Sequence, residues 1–568
     1  MRGRSHAALL ALALAGFAPA VSGAEAHVKP AAERALDPSA TKPLVGGSNA
    51  ATTAASGPGS RPQANGPRIP EALKAQLKAQ LDARIDRDLV RIRSLRATAL
   101  QLLTTFVAET PKESPEMPEA LLRLGELRWE NEREAYVERF KKWDALPVDQ
   151  RGPTPQPNFL PSRELFSRVL KDYPDFDQYD LALYVDGFLA SEQGKEDEAL
   201  DRFDKILASY PQSRFVPDAH MFKAEALFNQ KYDYAGALKE YEQVLRFKGN
   251  DLYGLALFKS AWCMWRLGNT DEAAKRFVSV FEVTDGQQGK TVNAQQRKQL
   301  DELQSEALKY LVEVFTEDDK NSASDVYAFL QKIGGDKFAG KIVRALAVTF
   351  YDQAHYERGI EAYELLLKLE PTSREAGLWV LAIASGYSQL EDYPKLKATY
   401  ERAITGYTAG GPWSRTQADP ANVAATTAKI EAQLKQDALA LHARAQKDKT
   451  SRAEYDGAAG LYAIYLGRFA SSPGAYQIQF YLAEIDARHL GKDGEAATHY
   501  MAAAKAIPND QAGREPLKTL RHDAIYNALA SLERLRVAEL EARKGKPGSQ
   551  ESPTDKQFAE ALDLYAQL

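Results

Sequence analysis

The sequence predicts an all-α protein, an α-solenoid built of antiparallel helix pairs arranged in two sub-arrays. The first observation behind this is a helix-pair pattern that recurs every ~34–38 residues, a period typical of helical repeat arrays. The second is the internal signature of the second helices, in which a small residue stands four positions before an aromatic one: Ala199–Phe203, Ala237–Tyr241, Ala273–Phe277, Gly359–Tyr363 and Ala496–Tyr500. The third is composition. Of 568 residues, 44% are hydrophobic and 27% charged, an ordinary globular balance that excludes wholesale disorder.

Residues 1–24, MRGRSHAALLALALAGFAPAVSGA, read as an export signal. Arg2 and Arg4 form a charged start, Ala7 to Phe17 an apolar stretch, and Ser22 and Ala24 a small-x-small cleavage site. The apolar stretch is too short for a mature membrane span. With no cysteine beside the cleavage point, a bacterial-type lipid anchor is excluded. A soluble periplasmic protein is therefore expected, cleaved after Ala24. Residues 25–69 carry Pro30, Pro38, Pro43, Pro58, Pro62 and Pro67 among Gly, Ser, Thr and Ala. Such a stretch buries too little apolar surface to offset its ordering entropy, so it reads as a flexible linker.

A long helix is predicted over 70–110, bounded by Pro70 and Pro111, with Leu73, Leu77, Leu81, Ile85, Leu89, Ile92, Leu102 and Phe106 marking its apolar side. Its early apolar steps are all of four residues and drift around the axis, which favours packing along the first repeats over a coiled-coil oligomer. A first solenoid follows over 116–408, interrupted at 141–161 by an insertion holding Pro147, Pro153, Pro155, Pro157 and Pro161. The clearest second helices are 198–211, 235–247, 271–281, 358–371 and 495–508. Pro211, Pro371 and Pro508 stop three of them, and Gly194, Gly268 and Gly491 mark the turns that precede three. The small residue lets paired helices approach, and the aromatic fills the space to the next pair. Helices near 306–334, 375–407, 426–466 and 517–568 keep the period with few signature residues. The segment AGGPWSRTQADP within 409–425 is expected to be a linker, leaving a second solenoid over 426–568. The sequence stops at Leu568 inside what reads as a second helix, so either that helix closes the array unusually or the chain continues.

These spacings resemble the tetratricopeptide repeat (TPR) family. The resemblance maps the family's small position to Ala199, Ala237, Ala273, Gly359 and Ala496, its helix-one tyrosine position to Phe228, Phe350 and Tyr387, and its helix-one glycine to Gly187. It implies a concave groove lined by first helices, with Tyr184, Phe188, Phe222, Asn229, Phe258, Trp262, Trp265 and Arg266 as the partner-binding positions. Phe258, Trp262 and Trp265 share one helix face by their spacing. The alternative for the same rings is packing between repeats or beneath the 70–110 helix. The equivalent stretch after residue 340, Lys341, Arg344, Val348, Tyr351 and Asp352, is more polar. Residues 163–281, with SYPQSRFVPDAHMFKAEALF at a repeat junction, also resemble bacterial envelope TPR adaptors of the outer-membrane assembly and Tol–Pal-associated types. They lack the lipidated cysteine of the first and the trimerising coiled coil of the second. A weaker resemblance is to adaptors of myxobacterial envelope and gliding machinery.

Chemistry is not legible. A net charge of -5, from 73 Lys+Arg and 78 Asp+Glu, argues against a dedicated nucleic-acid binder. The single cysteine, Cys263, excludes a disulfide framework and any Cys-based metal site, and its apolar helix suits an inert thiol. GQQGKT (Gly286–Thr291) lacks the leading glycine of a phosphate loop, since that position is Thr284. No HExxH or GxSxG occurs, His489 and His499 are not i,i+4, and TEDDK (316–320) lacks alternating calcium ligands. The sequence therefore predicts a non-enzymatic scaffold that binds protein segments without cofactor or metal. The alternative is an accessory of a cell-wall enzyme that recruits a hydrolase or contacts peptidoglycan.

Overall fold

The computed structural model describes residues 71–288, 294–318, 320–447, 452–508, 512–542 and 552–568. The expected signal and linker (1–69) and the end of the GQQGKT stretch lie outside the described residues. Twenty-one α-helices and no strand occur among those described, and none is long and apolar enough to cross a membrane. They fall into two compact units that divide between Val314 and Phe315.

The first unit opens with the long helix α1 (Glu71–Glu109), within a residue of its expected bounds. Four antiparallel pairs follow: α2 (Met117–Asp144) with α3 (Leu160–Asp172), α4 (Tyr179–Glu192) with α5 (Glu196–Ser209), α6 (Val216–Asn229) with α7 (Tyr234–Val244), and α8 (Tyr253–Arg266) with α9 (Thr270–Gln288). Helix α10 (Ala294–Thr316) ends the unit. The proline-rich insertion ends α2 at Asp144 and runs back along it. Gly152 accepts a hydrogen bond from Trp143 Nε1 at 2.8 Å, and the Asn158 backbone donates to Glu132 at 2.8 Å.

The second unit holds α11 (Ala323–Ile333), α12 (Ala339–Asp352) with α13 (Tyr356–Leu369), and α14 (Ala376–Gln389) with α15 (Tyr393–Tyr407). It continues with α16 (Pro420–Lys447) and α17 (Arg452–Phe469), then α18 (Ala475–Ile485) and α19 (Asp493–Ala506), and finally α20 (Leu517–Ala542) and α21 (Pro553–Gln567). Segment 409–419 lies inside this unit rather than between two arrays. Trp413 is buried and donates through Nε1 to the Ser373 carbonyl at 2.8 Å, while Gln417 and Asn422 bond Thr372 and Arg374, so the loop is packed in place.

The repeat logic holds at atomic detail. Ala199, Ala237, Ala273 and Ala496 are buried, as are their aromatic partners Phe203, Tyr241, Phe277 and Tyr500. A Cβ on Gly187 would press on Phe203 and the Arg202 side chain at 3.0–3.1 Å, one on Gly125 would meet Phe166 at 2.9 Å, and one on Gly386 would meet Ile360 at 2.8 Å. Three first helices thus need glycine at the same kind of crossing, where the sequence displayed it only at Gly187. The turn within a pair demands a left-handed residue five positions before the small one. Gly194, Gly268 and Gly491 supply it at φ of 69°, 80° and 71°. Tyr232 (53°) and Ala354 (58°) occupy the same place without being glycine, which is why those turns were silent in the sequence.

Because Ala199 sits at 2% exposure between packed helices, Ala199→Leu is expected to cost about 1–3 kcal/mol by overpacking. Chemical denaturation of that variant checks the register, and an unchanged midpoint tells against it.

Candidate aromatic groove of the first unit

Helices α6, α7, α8 and α10 bring five partly or wholly shielded rings and one guanidinium together. Trp262 on α8 is the hub. Its ring lies 4.5 Å from Tyr310 on α10, 5.1 Å from Trp265 on its own helix and 6.5 Å from Phe228 on α6. Phe228 packs edge-on to Tyr234 at 5.3 Å, and the exposed Arg266 guanidinium stands 5.9 Å above Trp262 and 5.8 Å above Tyr234. Trp262, Trp265 and Phe228 are half-buried, so each keeps accessible surface while its position is set by its neighbours. Rings held this way present apolar area at low entropy cost.

A polar layer beneath fixes the helices. Glu225 of α6 accepts hydrogen bonds from the Tyr241 hydroxyl of α7 (2.6 Å), Lys259 of α8 (3.0 Å) and Asn229 (2.9 Å). Burial pushes the Glu225 carboxyl up, but the Lys259 charge and the donated hydrogen bonds outweigh it and hold the group below its usual range. Lys259 also lies 5.3 Å over the Phe228 ring. The Tyr310 hydroxyl is pushed up to about 12, chiefly by burial and then by Glu306 and Glu313, so it stays a neutral donor. Cys263, fully buried on the inner face of α8, has its thiol pushed up to about 12 by burial and Glu225, and offers no nucleophile.

The eight sequence-predicted positions separate in two. Trp262, Trp265 and Arg266 meet at the surface just described, and Asn229 borders it through Glu225. Tyr184, Phe188 and Phe258 are corrected to interior packing. Tyr184 is fully buried and stacks on Phe215 at 4.6 Å, Phe188 meets Trp129 edge-on at 5.9 Å, and Phe258 meets Phe277 at 5.8 Å. Phe222 is half-buried but lies flat on Phe203 at 4.5 Å, within the same packing. The reason is that α4 is enclosed on nearly every side, with Leu181 through Ala190 all buried, so it offers no open face. Sequence reasoning missed Phe228, Tyr234 and Tyr310 as members of this ring cluster. Phe228 was visible only as a repeat signature, and Tyr310 sits in a helix with no signature residues.

In the second unit, a groove of about 640 Å³ between α14 and α16 is lined by Ser385, Gln389, Gln433 and Gln436 over Leu378 and Leu381. Of the polar stretch expected there, Arg344 pairs with Glu375 at 3.0 Å and Tyr351 donates to the Ala382 carbonyl at 2.6 Å.

The tetratricopeptide repeat family matches residues 183–213 and 255–281, which are α4–α5 and α8 with the first part of α9. Those two stretches, each belonging to one helix pair of the first unit, are similar to the repeat of that family. No curated protein matches the sequence significantly. Among solved structures, the Naa15/Naa10 complex bound to HypK-THB is similar at 15% identity, covering 83% of this chain and 67% of that one with a TM-score of 0.27. A tetratricopeptide repeat protein from Parabacteroides merdae is similar at 16% identity, over 54% and 98% of the two chains, with a TM-score of 0.15. The P58(IPK) TPR domain is similar at 15% identity, over 68% and 98%, with a TM-score of 0.18.

Proposed function

We propose that this protein is a non-enzymatic scaffold of the periplasm, capturing protein segments in the aromatic groove of its first unit within a cell-envelope machine. One observation carries the reading: Trp262 of α8 meets Phe228 of α6, Trp265 of its own helix and Tyr310 of α10, and both indoles stay half-exposed, with Arg266 standing over Trp262. An apolar slot with a cationic edge suits a segment that offers an apolar side chain and a nearby carboxylate. The likeness of residues 255–281, which include Trp262, Trp265 and Arg266, to the tetratricopeptide repeat supports a protein as the occupant. The envelope setting rests on the export signal read in residues 1–24 and on the resemblance of residues 163–281 to envelope adaptors.

A photo-crosslinking side chain placed at the exposed Arg266 tests the groove in envelope extract. A crosslinked protein segment, lost on competition with its own peptide, is the expected result. Retention of the chain by isolated peptidoglycan, with no crosslinked protein, favours the cell-wall accessory reading instead. Export is tested separately. N-terminal sequencing of the periplasmic fraction is expected to begin at Glu25, and recovery of intact Met1 from a salt-washed membrane pellet overturns that part of the proposal.

A further inference from the structure

Helix α1 turns the wrong face to its neighbour for a helix that exists only to cap the array. Its contacts with α2 are made by Arg96, which pairs with Glu130 and Glu134 at 3.1 and 2.8 Å, and by Arg93 with Glu134. Leu100, Leu103 and Val107 add apolar packing against the first core. Arg93, Arg96, Leu100 and Val107 lie roughly 100° around the axis from the helix's most regular apolar row, and Leu103 about half as far, at ~100° of turn per residue. That row is Leu81, Ile85, Ile92, Leu95, Ala99 and Leu102, with Asp88 between Ile85 and Ile92, and its steps run 4-3-4-3-4-3. Leu81, Leu95 and Leu102 are 57%, 61% and 65% exposed. Leu77 and Ile92, at 44% and 40%, lie on the same side, so five large apolar side chains of one helix face stand open to solvent.

Period and charge identify what would cover it. Steps of four and three are the spacing of a coiled-coil seam, narrower than the broad apolar face of a helix lying on a bilayer, and Asp88 interrupts it. The open flank of the seam carries Arg84 and Arg91, both exposed, and Arg84 has only a loose 3.9 Å contact with Asp88. An antiparallel second copy would set Arg91 against itself, which disfavours that self-pairing. We propose that α1 is a docking helix for a partner α-helix that has an apolar seam flanked by acidic residues. This surface is independent of the aromatic groove.

The test uses the full chain and two synthetic 28-residue helical peptides with leucine-rich seams, one flanked by Glu and one by Lys. Fluorescence anisotropy is expected to show the Glu-flanked peptide binding at least 10-fold tighter than the Lys-flanked one. Leu95→Glu with Leu102→Glu should weaken that binding at least 30-fold with unchanged helicity, both positions being exposed. Arg84→Glu with Arg91→Glu should reverse the preference toward the Lys-flanked peptide. Equal binding of both peptides, or binding indifferent to Leu95 and Leu102, overturns the proposal. So does concentration-dependent self-association of the chain that Leu95→Glu abolishes, which assigns the seam to a second copy. Seam-dependent binding to vesicles of anionic phospholipid in place of the Glu-flanked peptide overturns it as well.

Discussion

Asp186→Ala is expected to lower the stability of the first unit by about 3 kcal/mol, near the low end of what removing one partner of a buried ion pair costs. Asp186 is fully buried on α4 and bridges two cations from other helices. Arg163 of α3 donates through Nε to one carboxylate oxygen at 2.9 Å, and Arg202 of α5 donates to the other at 2.9 Å. Arg163 is itself nearly enclosed, at 6% side-chain exposure. Burial pushes its guanidinium down, while Glu198 and Asp186 more than offset this and keep it charged. Without Asp186 the Arg163 charge stays in a dry site with only Glu198, at 2.7 Å, to face it, and that residual pairing sets the estimate low in the range. Arg202 has an escape into solvent at 27% exposure and contributes less to the loss. Adding Arg163→Met to an Asp186→Leu background removes both charges, and denaturation is expected to recover to within about 1 kcal/mol of the parent. If the single change is as mild as the double one, the bridge does not hold α3, α4 and α5 together.

The same residue shows where the sequence was legible and where it was not. Helices α5, α13 and α19 ended where Pro211, Pro371 and Pro508 required, and the glycine turns at Gly194, Gly268 and Gly491 adopted the left-handed backbone their spacing implied. Those signals are local, written in the chemistry of one turn. Asp186 lies in an apolar helix, and nothing in its neighbours announces that Arg163, 23 residues earlier, will reach it. The expected groove positions separated into surface and interior for a related reason. Spacing can say that Phe258, Trp262 and Trp265 lie on one side of α8, but only the neighbouring helices decide how far along that side the interior extends. Phe258 is closed in by Phe277 and Tyr310, and one turn later Trp262 reaches the edge. Tyr310 comes from a helix whose degenerate repeat hid its register altogether. For α1, the four-residue steps at its start concealed the regular seam that begins at Leu81.

Changing Trp262 and Trp265 together to Ala is expected to cost about 2–4 kcal/mol of partner binding, a weakening of roughly 30-fold or more. Both rings are half-exposed, and a segment covering them would remove their remaining surface from water in one step. Among the described residues no carboxylate lies at ion-pair distance from Arg266, which stands over Trp262, so a bound carboxylate would add a charge-assisted bond beside the rings. Stability should respond less. Each indole forfeits only part of the burial that makes a fully enclosed aromatic cost about 3–5 kcal/mol on truncation, although Tyr310 loses its 4.5 Å neighbour. Phe258→Ala supplies the contrast, because that ring is 9% exposed and packs against Phe277 and Tyr310. It should fall in the full core range while capture by the remaining folded protein persists. Helicity, denaturation midpoint and crosslinking yield, measured on both variants, therefore separate the two roles that one helix face assigns to rings a single turn apart. A double variant that still captures its partner but unfolds several kcal/mol more easily would move Trp262 and Trp265 to the core, beside Phe258, and leave the groove without its centre.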